Sequence, residues 1–257
     1  MPADLASILS LAARFQIPVV EDAACAVGSE ISVDGGHSFE PIGRPHGDAA
    51  CFSFHPRKLV STGDGGMITS ARAALVDAAR SLRHHSMSVS DLARHGDADV
   101  VFESYPGTGF NYRMTDIQGA IGLEQLKRLP AMVERRRELA ARYGKLLRGI
   151  PEVEAPQEPA YARSNWQTYV VRLAHSGQQL PVMRALRAQG IGTQRGIMCA
   201  HLEPAYQAAW PRGCLPHSEA MRDRGLALPL YQQLESSEQE QVVTALAAAI
   251  RDAGSRI

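Results

Sequence analysis

Long apolar runs are missing from this 257-residue chain, and no segment is hydrophobic for the 18 or more residues that a membrane-spanning helix needs. Its opening stretch, MPADLASILSLAARFQ, also lacks the basic start and continuous apolar core of a signal peptide. A soluble, cytoplasmic protein is therefore expected. Net charge is missing too: 27 lysines and arginines balance 27 aspartates and glutamates. The protein as a whole then projects no positive field that would hold a nucleic acid or an anionic membrane surface. Cysteine is scarce, with only Cys25, Cys51, Cys199 and Cys214. None of these forms a CxxC pair or stands beside a histidine array, so no metal is expected and a reducing compartment fits. Internal repeats and low-complexity tracts are absent as well.

What is present is an ordinary globular composition, 45% hydrophobic and 21% charged, enough for one large domain or two modest ones. Leu5, Ile8, Leu9, Ala12 and Phe15 recur at helical spacing, and IPVV then reads as a short strand stopping at Glu21-Asp22. DAACFSF suits a buried strand, HPRKLVSTGDGG a polar glycine-rich loop, and MITS a second strand. ARAALVDAARSLRHH reads as a helix, residues 84 to 110 as irregular, and MTDIQGAIGLEQLKRL as a helix capped near Thr115-Asp116 and punctuated by Pro130. AMVERRRELAARYGKLLRGI predicts a long amphipathic bridging helix, followed by the proline-rich linker PEVEAPQEP. TYVVRLA, PVMRALRAQG and SSEQEQVVTALAAAIRDA then predict a strand, a glycine-ended helix and a serine-capped terminal helix. The chain is α/β, with residues 1–130 forming one domain and 131–257 the bridging helix and a small C-terminal α/β domain.

Three residues stand where chemistry gathers in such a fold. Asp22 closes the IPVV strand, at the edge where ligands collect in open α/β sheets. It could cap a helix starting at AACA, or face a heterocyclic N–H. Lys58 lies between a buried strand and a glycine-rich turn, an unusual place for a long amine, although a lone loop lysine is most often a solvated charge. Ser53 precedes it by five positions, and its plainest role is a buried, hydrogen-bonded hydroxyl. Taken together, an amine, a carboxylate and a hydroxyl at strand ends match what pyridoxal phosphate requires: an imine partner, an acid facing the pyridine nitrogen and a phosphate donor.

EDAACAVGS, GDAACFSFHPRKLVSTGDGGMIT, GFNYRMTDIQGAIGLEQLKRL and LALPLYQQL, in that order along the chain, resemble successive blocks of the DegT/DnrJ/EryC1/StrS sugar aminotransferase family. The SFHPRK…TGDGG block is the most specific of them. The resemblance implies a type I, aspartate aminotransferase-like fold for pyridoxal-phosphate-dependent transferases, here an incomplete large domain plus the small C-terminal domain. It implies that Lys58 is the catalytic lysine bonded to the cofactor, that Asp22 pairs with the pyridinium nitrogen, and that Ser53 binds the phosphate. Cys25 stands at a cofactor-side position that is glutamine in many members, and Asn111 in GFNYR would reach the phosphate of the neighbouring subunit in a homodimer with shared active sites. His85, Trp166, Arg195 and His201 are the substrate-side candidates, though each could be merely structural.

The implied reaction takes an amino group from an amino acid, L-glutamate by analogy, to a nucleotide-diphosphate keto sugar. Its place would be amino-sugar biosynthesis for cell-surface polysaccharide such as lipopolysaccharide O-antigen. SFHPRK and GIMCAHLEPAY further resemble the branch with perosamine-synthase-like enzymes, which act at the fourth carbon of the sugar. Departures are Asp64, where glutamate is more common, and Ser86, where a glycine is usual. The family's upstream glycine-threonine phosphate loop and ring-stacking aromatic are not matched, so the chain is expected to be N-terminally truncated relative to the family. A lysine-to-histidine sugar dehydratase is disfavoured because Lys58 is in place and His55 falls three residues early. A truncated, non-catalytic or regulatory member is the alternative.

Overall fold

The computed structural model describes residues 1–88 and 102–254. They form two compact units, Met1–Ala131 with Ala160–Asn165, and Met132–Pro159 with the chain from Trp166 onward.

In the first unit, helix α1 (Leu5–Phe15) starts at Asp4, whose carboxylate accepts the Ser7 N–H at 3.1 Å and the Ser7 hydroxyl at 2.7 Å. It feeds strand β1 (Val20–Asp22). β2 (Glu30–Ile31) and β3 (Glu40–Pro41) form a short antiparallel ribbon, joined by β7 (Ala162–Arg163) from the returning segment. β4 (Ala49–Ser53) lies parallel to β1 and antiparallel to β5 (Gly66–Thr69), giving the order β1-β4-β5. Helix α2 (Ala73–Leu82) follows. The buried Glu21 ties β1 to the approach of β4, its Oε1 accepting the N–H groups of His46 at 2.7 Å and Gly47 at 2.8 Å.

Helix α3 runs unbroken from Asp116 to Leu146, so the two helices expected on either side of Pro130 are one. A mid-helix proline removes one backbone bond and costs about 3 kcal/mol. Beyond it, Leu139, Tyr143 and Leu147 are each at most 2% exposed. Burial of such side chains contributes about 1.5–3 kcal/mol apiece, which outweighs the break. The helix start is a capping box: Gln118 Oε1 accepts the Thr115 N–H at 2.9 Å and Thr115 Oγ1 accepts the Gln118 N–H at 3.3 Å.

The second unit holds the sheet β6-β8-β10-β9. Its strands are β6 (Val153–Glu154), β8 (Tyr169–Leu173), β9 (Gln194–Arg195) and β10 (Gly225–Leu228). β10 is buried at every position and β8 at alternate ones, as a central strand and its neighbour should be. Helices α4 (Gln179–Ala188), α5 (Pro216–Arg224) and α6 (Ser236–Gly254) complete it. Val182, Leu186, Leu246 and Ile250 join Tyr143, Tyr169 and the strand side chains in one core.

Two buried tyrosines in that core differ in a way that can be measured. Tyr143 donates its hydroxyl to Pro229 O at 3.0 Å, whereas the Tyr169 hydroxyl has no partner among the described residues, and burial pushes its phenol up to about 12. Tyr143→Phe is therefore expected to cost about 1 kcal/mol, and Tyr169→Phe to be neutral or stabilising. Urea unfolding of both variants side by side checks this.

Candidate functional site

The register of β1 against β4 sets Asp22 opposite Cys51 in a parallel pair, so Asp22 ends β1 and Ser53 ends β4 on the same sheet edge. Asp22 does not cap a helix. Its Oδ1 accepts the Ala24 N–H at 3.1 Å, an Asx-type turn, and residues 24–28 are turn. The exposed carboxylate makes no other hydrogen bond among the described residues, which leaves Oδ2 free to meet a ligand.

The lysine loop is anchored at both ends and in its middle. Phe54 donates its N–H to Gly65 O at 2.8 Å, and Thr62 returns an N–H to Phe54 O at 3.1 Å. Leu59 and Val60 are buried next to the half-buried Lys58. Asp64 O accepts from both Thr62 Oγ1, at 2.7 Å, and Gln118 Nε2, at 2.9 Å, which ties the glycine turn to the first turn of α3. Glycine is required at position 65, where φ is +154° and a Cβ would stand 2.6 Å from Thr62 Oγ1. So fixed, Lys58 sends its Nζ across to Cys25 Sγ at 2.9 Å, over the turn that Asp22 opens. Cys25 is itself exposed.

That turn is held by a residue the sequence reading missed. Asn165, 2% exposed, donates from Nδ2 to Cys25 O at 2.9 Å and Val27 O at 2.8 Å, and from its N–H to Ser29 Oγ at 2.9 Å. Its partners lie some 140 positions away, so no local pattern in the sequence marks it.

Asn111 and His85 stand on another part of the first unit. Asn111 bridges His84, His85 donates its N–H to Phe110 O at 3.0 Å, and both side chains are exposed. His85 and Ser86 are left-handed, with φ of +57° and +58°, which explains physically why glycine suits position 86. The remaining candidates belong to the second unit. Arg195 is exposed on β9, which pairs with β10. Trp166 is 7% exposed in the core, 5.4 Å from the Tyr169 ring, with its carbonyl accepting from Arg136 at 2.8 Å. His201, 8% exposed, sets its Nε2 3.0 Å from Glu219 Oε1. Neither of the last two side chains is offered freely to solvent. Among the described residues, no helix is long and apolar enough to cross a membrane.

A short parallel strand pair with a lysine loop at its carboxyl edge and a carboxylate closing the neighbouring strand fits the type I fold of pyridoxal-phosphate enzymes. The sequence profile of the DegT/DnrJ/EryC1/StrS aminotransferase family matches residues 1–247, and the chain belongs to that family. It is similar to the aminotransferase TlmJ from Streptoalloteichus hindustanus, with 32% identity and a TM-score of 0.83 over 98% of this chain and 63% of that one. It is also similar to S. venezuelae DesV, with 28% identity and a TM-score of 0.84 over 97% and 62%. Streptococcus pneumoniae Spr1654, in its PMP form, shares the fold at 23% identity, with a TM-score of 0.82 over 92% of this chain and 60% of that one. The chain thus spans somewhat less than two thirds of the length of these relatives.

Members of the family use pyridoxal phosphate, and Spr1654 is solved in both PLP and PMP forms. The donor set here fits that group. Among the described residues the Lys58 amine is engaged only by the Cys25 thiol and Asp22 Oδ2 is free, so with the strand-end Ser53 hydroxyl they would provide a nucleophile, an anion and a phosphate donor within one unit.

Proposed function

We propose that the protein is a pyridoxal-phosphate-dependent aminotransferase that moves an amino group from L-glutamate to a nucleotide-linked keto sugar. The observation that carries this reading is the placement of Lys58 Nζ, 2.9 Å from Cys25 Sγ, over the turn that starts at Asp22. Bound pyridoxal phosphate supplies the electron sink and carries the nitrogen between the two half-reactions. Lys58 would hold the cofactor through its Nζ, and the same amine would be the group that moves a proton at the reacting carbon. Asp22 Oδ2 holds the proton on the ring nitrogen, since an adjacent carboxylate favours the charged form. Ser53 donates to the phosphate, and Cys25 lies against the lysine on the cofactor side.

Asn111 reaches the phosphate of a second subunit, in a homodimer working in the cytoplasm. Residues 1–130 serve as the cofactor-binding part and 131–257 as the small domain. Of the substrate candidates, His85 and Arg195 keep the exposed side chains that a sugar nucleotide needs. Amination at the fourth carbon, in the making of amino sugars for cell-surface polysaccharide such as O-antigen, is the most specific form of this proposal.

The test begins with absorbance. Purified protein given pyridoxal phosphate is expected to show a visible band that borohydride abolishes, with the reduced cofactor recovered on the peptide containing Lys58. L-Glutamate should bleach the band, and a nucleotide-linked 4-keto sugar should restore it. Failure to recover the cofactor on that peptide sinks the aminotransferase reading, and restoration by 3-keto sugars alone sinks the fourth-carbon assignment.

A further inference from the structure

The second unit carries a side-chain cluster to which the proposed reaction assigns no step. His201 sits in the 3-10 turn Ala200–Leu202, Cys214 in the exposed stretch before α5, and Glu219 in the first turn of α5. One donor atom from each lies within 4.8 Å of the other two. We propose that His201, Cys214 and Glu219 form a zinc-binding site.

An imidazole nitrogen, a thiolate and a carboxylate oxygen are the donors zinc selects, and the two anions together neutralise its charge. The cation enters as two protons move: the Cys214 S–H bond breaks and the S–Zn bond forms with one proton going to solvent, and the Nε2 proton that His201 gives to Glu219 Oε1 shifts to Nδ1, so that Nε2 can bind the metal. Two of the three donors are already arranged. His201 and Glu219 are 8% and 6% exposed and stand 3.0 Å apart. Glu219 is further oriented by N–H donors from Gly213 at 2.7 Å and Leu215 at 3.4 Å. These are the outer hydrogen bonds that hold a metal ligand in place.

The third donor is the adjustable one. Tetrahedral zinc with bonds of about 2.0–2.3 Å places its ligands about 3.4–3.8 Å apart, so the widest pair here must close by roughly 1 Å. Residues 204–218 are exposed throughout, so that shift displaces no core side chain. Entry is open as well, because His201 and Cys214 line a cavity of about 560 Å³ with Met198, Tyr206 and Trp210. One group opposes the ion. Arg212 Nη1 lies 3.9 Å from Glu219 Oε2, but it is bonded at 2.8 Å to Asp223, which retains it when the carboxylate turns to the metal. A water completes the fourth position.

The site stands independently of the aminotransferase reading and is tested without turnover. Chelator-stripped protein is dialysed against zinc, and separately titrated with Co²⁺ as a spectroscopic substitute. One zinc per chain should be retained, and cobalt should give a near-ultraviolet thiolate charge-transfer band with intense tetrahedral visible bands. Cys214→Ser, at an exposed position that leaves the core intact, should remove the charge-transfer band and weaken zinc binding about tenfold or more. Cys25→Ser should leave both unchanged. No retained zinc, or a band and affinity that survive Cys214→Ser, would overturn the proposal.

Discussion

Lys58→Ala is expected to lower transamination by about 10⁴-fold or more, because in the proposed reaction one side chain serves both as nucleophile and as proton carrier. The loss should be chemical rather than structural. Lys58 is half-buried, its backbone N–H bonds within the loop to His55 O at 2.9 Å, and the loop is fixed by Leu59, Val60 and the Gly65 turn rather than by the lysine side chain. Thermal unfolding of the variant should therefore match that of the unaltered protein. Lys58→Arg separates charge from chemistry: a guanidinium keeps the cation near Cys25 but stays protonated and cannot attack an aldehyde carbon. It should be as inactive as the alanine variant. Single-turnover assays with glutamate decide the matter, and an arginine variant with appreciable turnover would show that Nζ contributes only charge. Asp22→Asn should cost less, since the lysine remains and only the proton on the ring nitrogen loses its anion.

The parts of this site that could be read from sequence are those whose signals are local. Asp22, Ser53 and Lys58 sit at the ends of short apolar runs or beside a glycine turn, and a strand end or turn is marked within a few residues of itself. The turn at Asp22 shows the limit of such signals. A carboxylate before small residues suits a helix cap and an Asx turn equally, and only the tertiary setting of residues 24–28 decides between them. Pro130 shows a second limit, because the burial that carries α3 through it lies in contacts with residues far along the chain, such as Tyr169 against Tyr143 at 5.1 Å. The His201, Cys214 and Glu219 cluster shows a third. Its donors are of three residue types, with 12 and 4 residues between them, so a search for repeated cysteine or histidine spacing passes over it.

Asn165 makes the same point with consequences for the active edge. Asn165→Ala removes the donors to Cys25 O and Val27 O, and leaving two part-buried carbonyls without that partner costs about 2 kcal/mol. The unfolding midpoint should fall by on the order of 5 °C or more. The turn that Asn165 holds also presents Cys25 to Lys58, so the variant should release pyridoxal phosphate faster even where it remains folded. Asn165→Asp is the sharper comparison. It keeps the size of the side chain but replaces an N–H donor with an oxygen facing two carbonyl oxygens, so it should be at least as destabilising as alanine. An aspartate variant with unaltered stability would mean that the amide does not donate to the turn. The geometry at Lys58 would then depend on the loop from Phe54 to Gly65 alone, with no contribution from the returning segment at Ala160–Asn165.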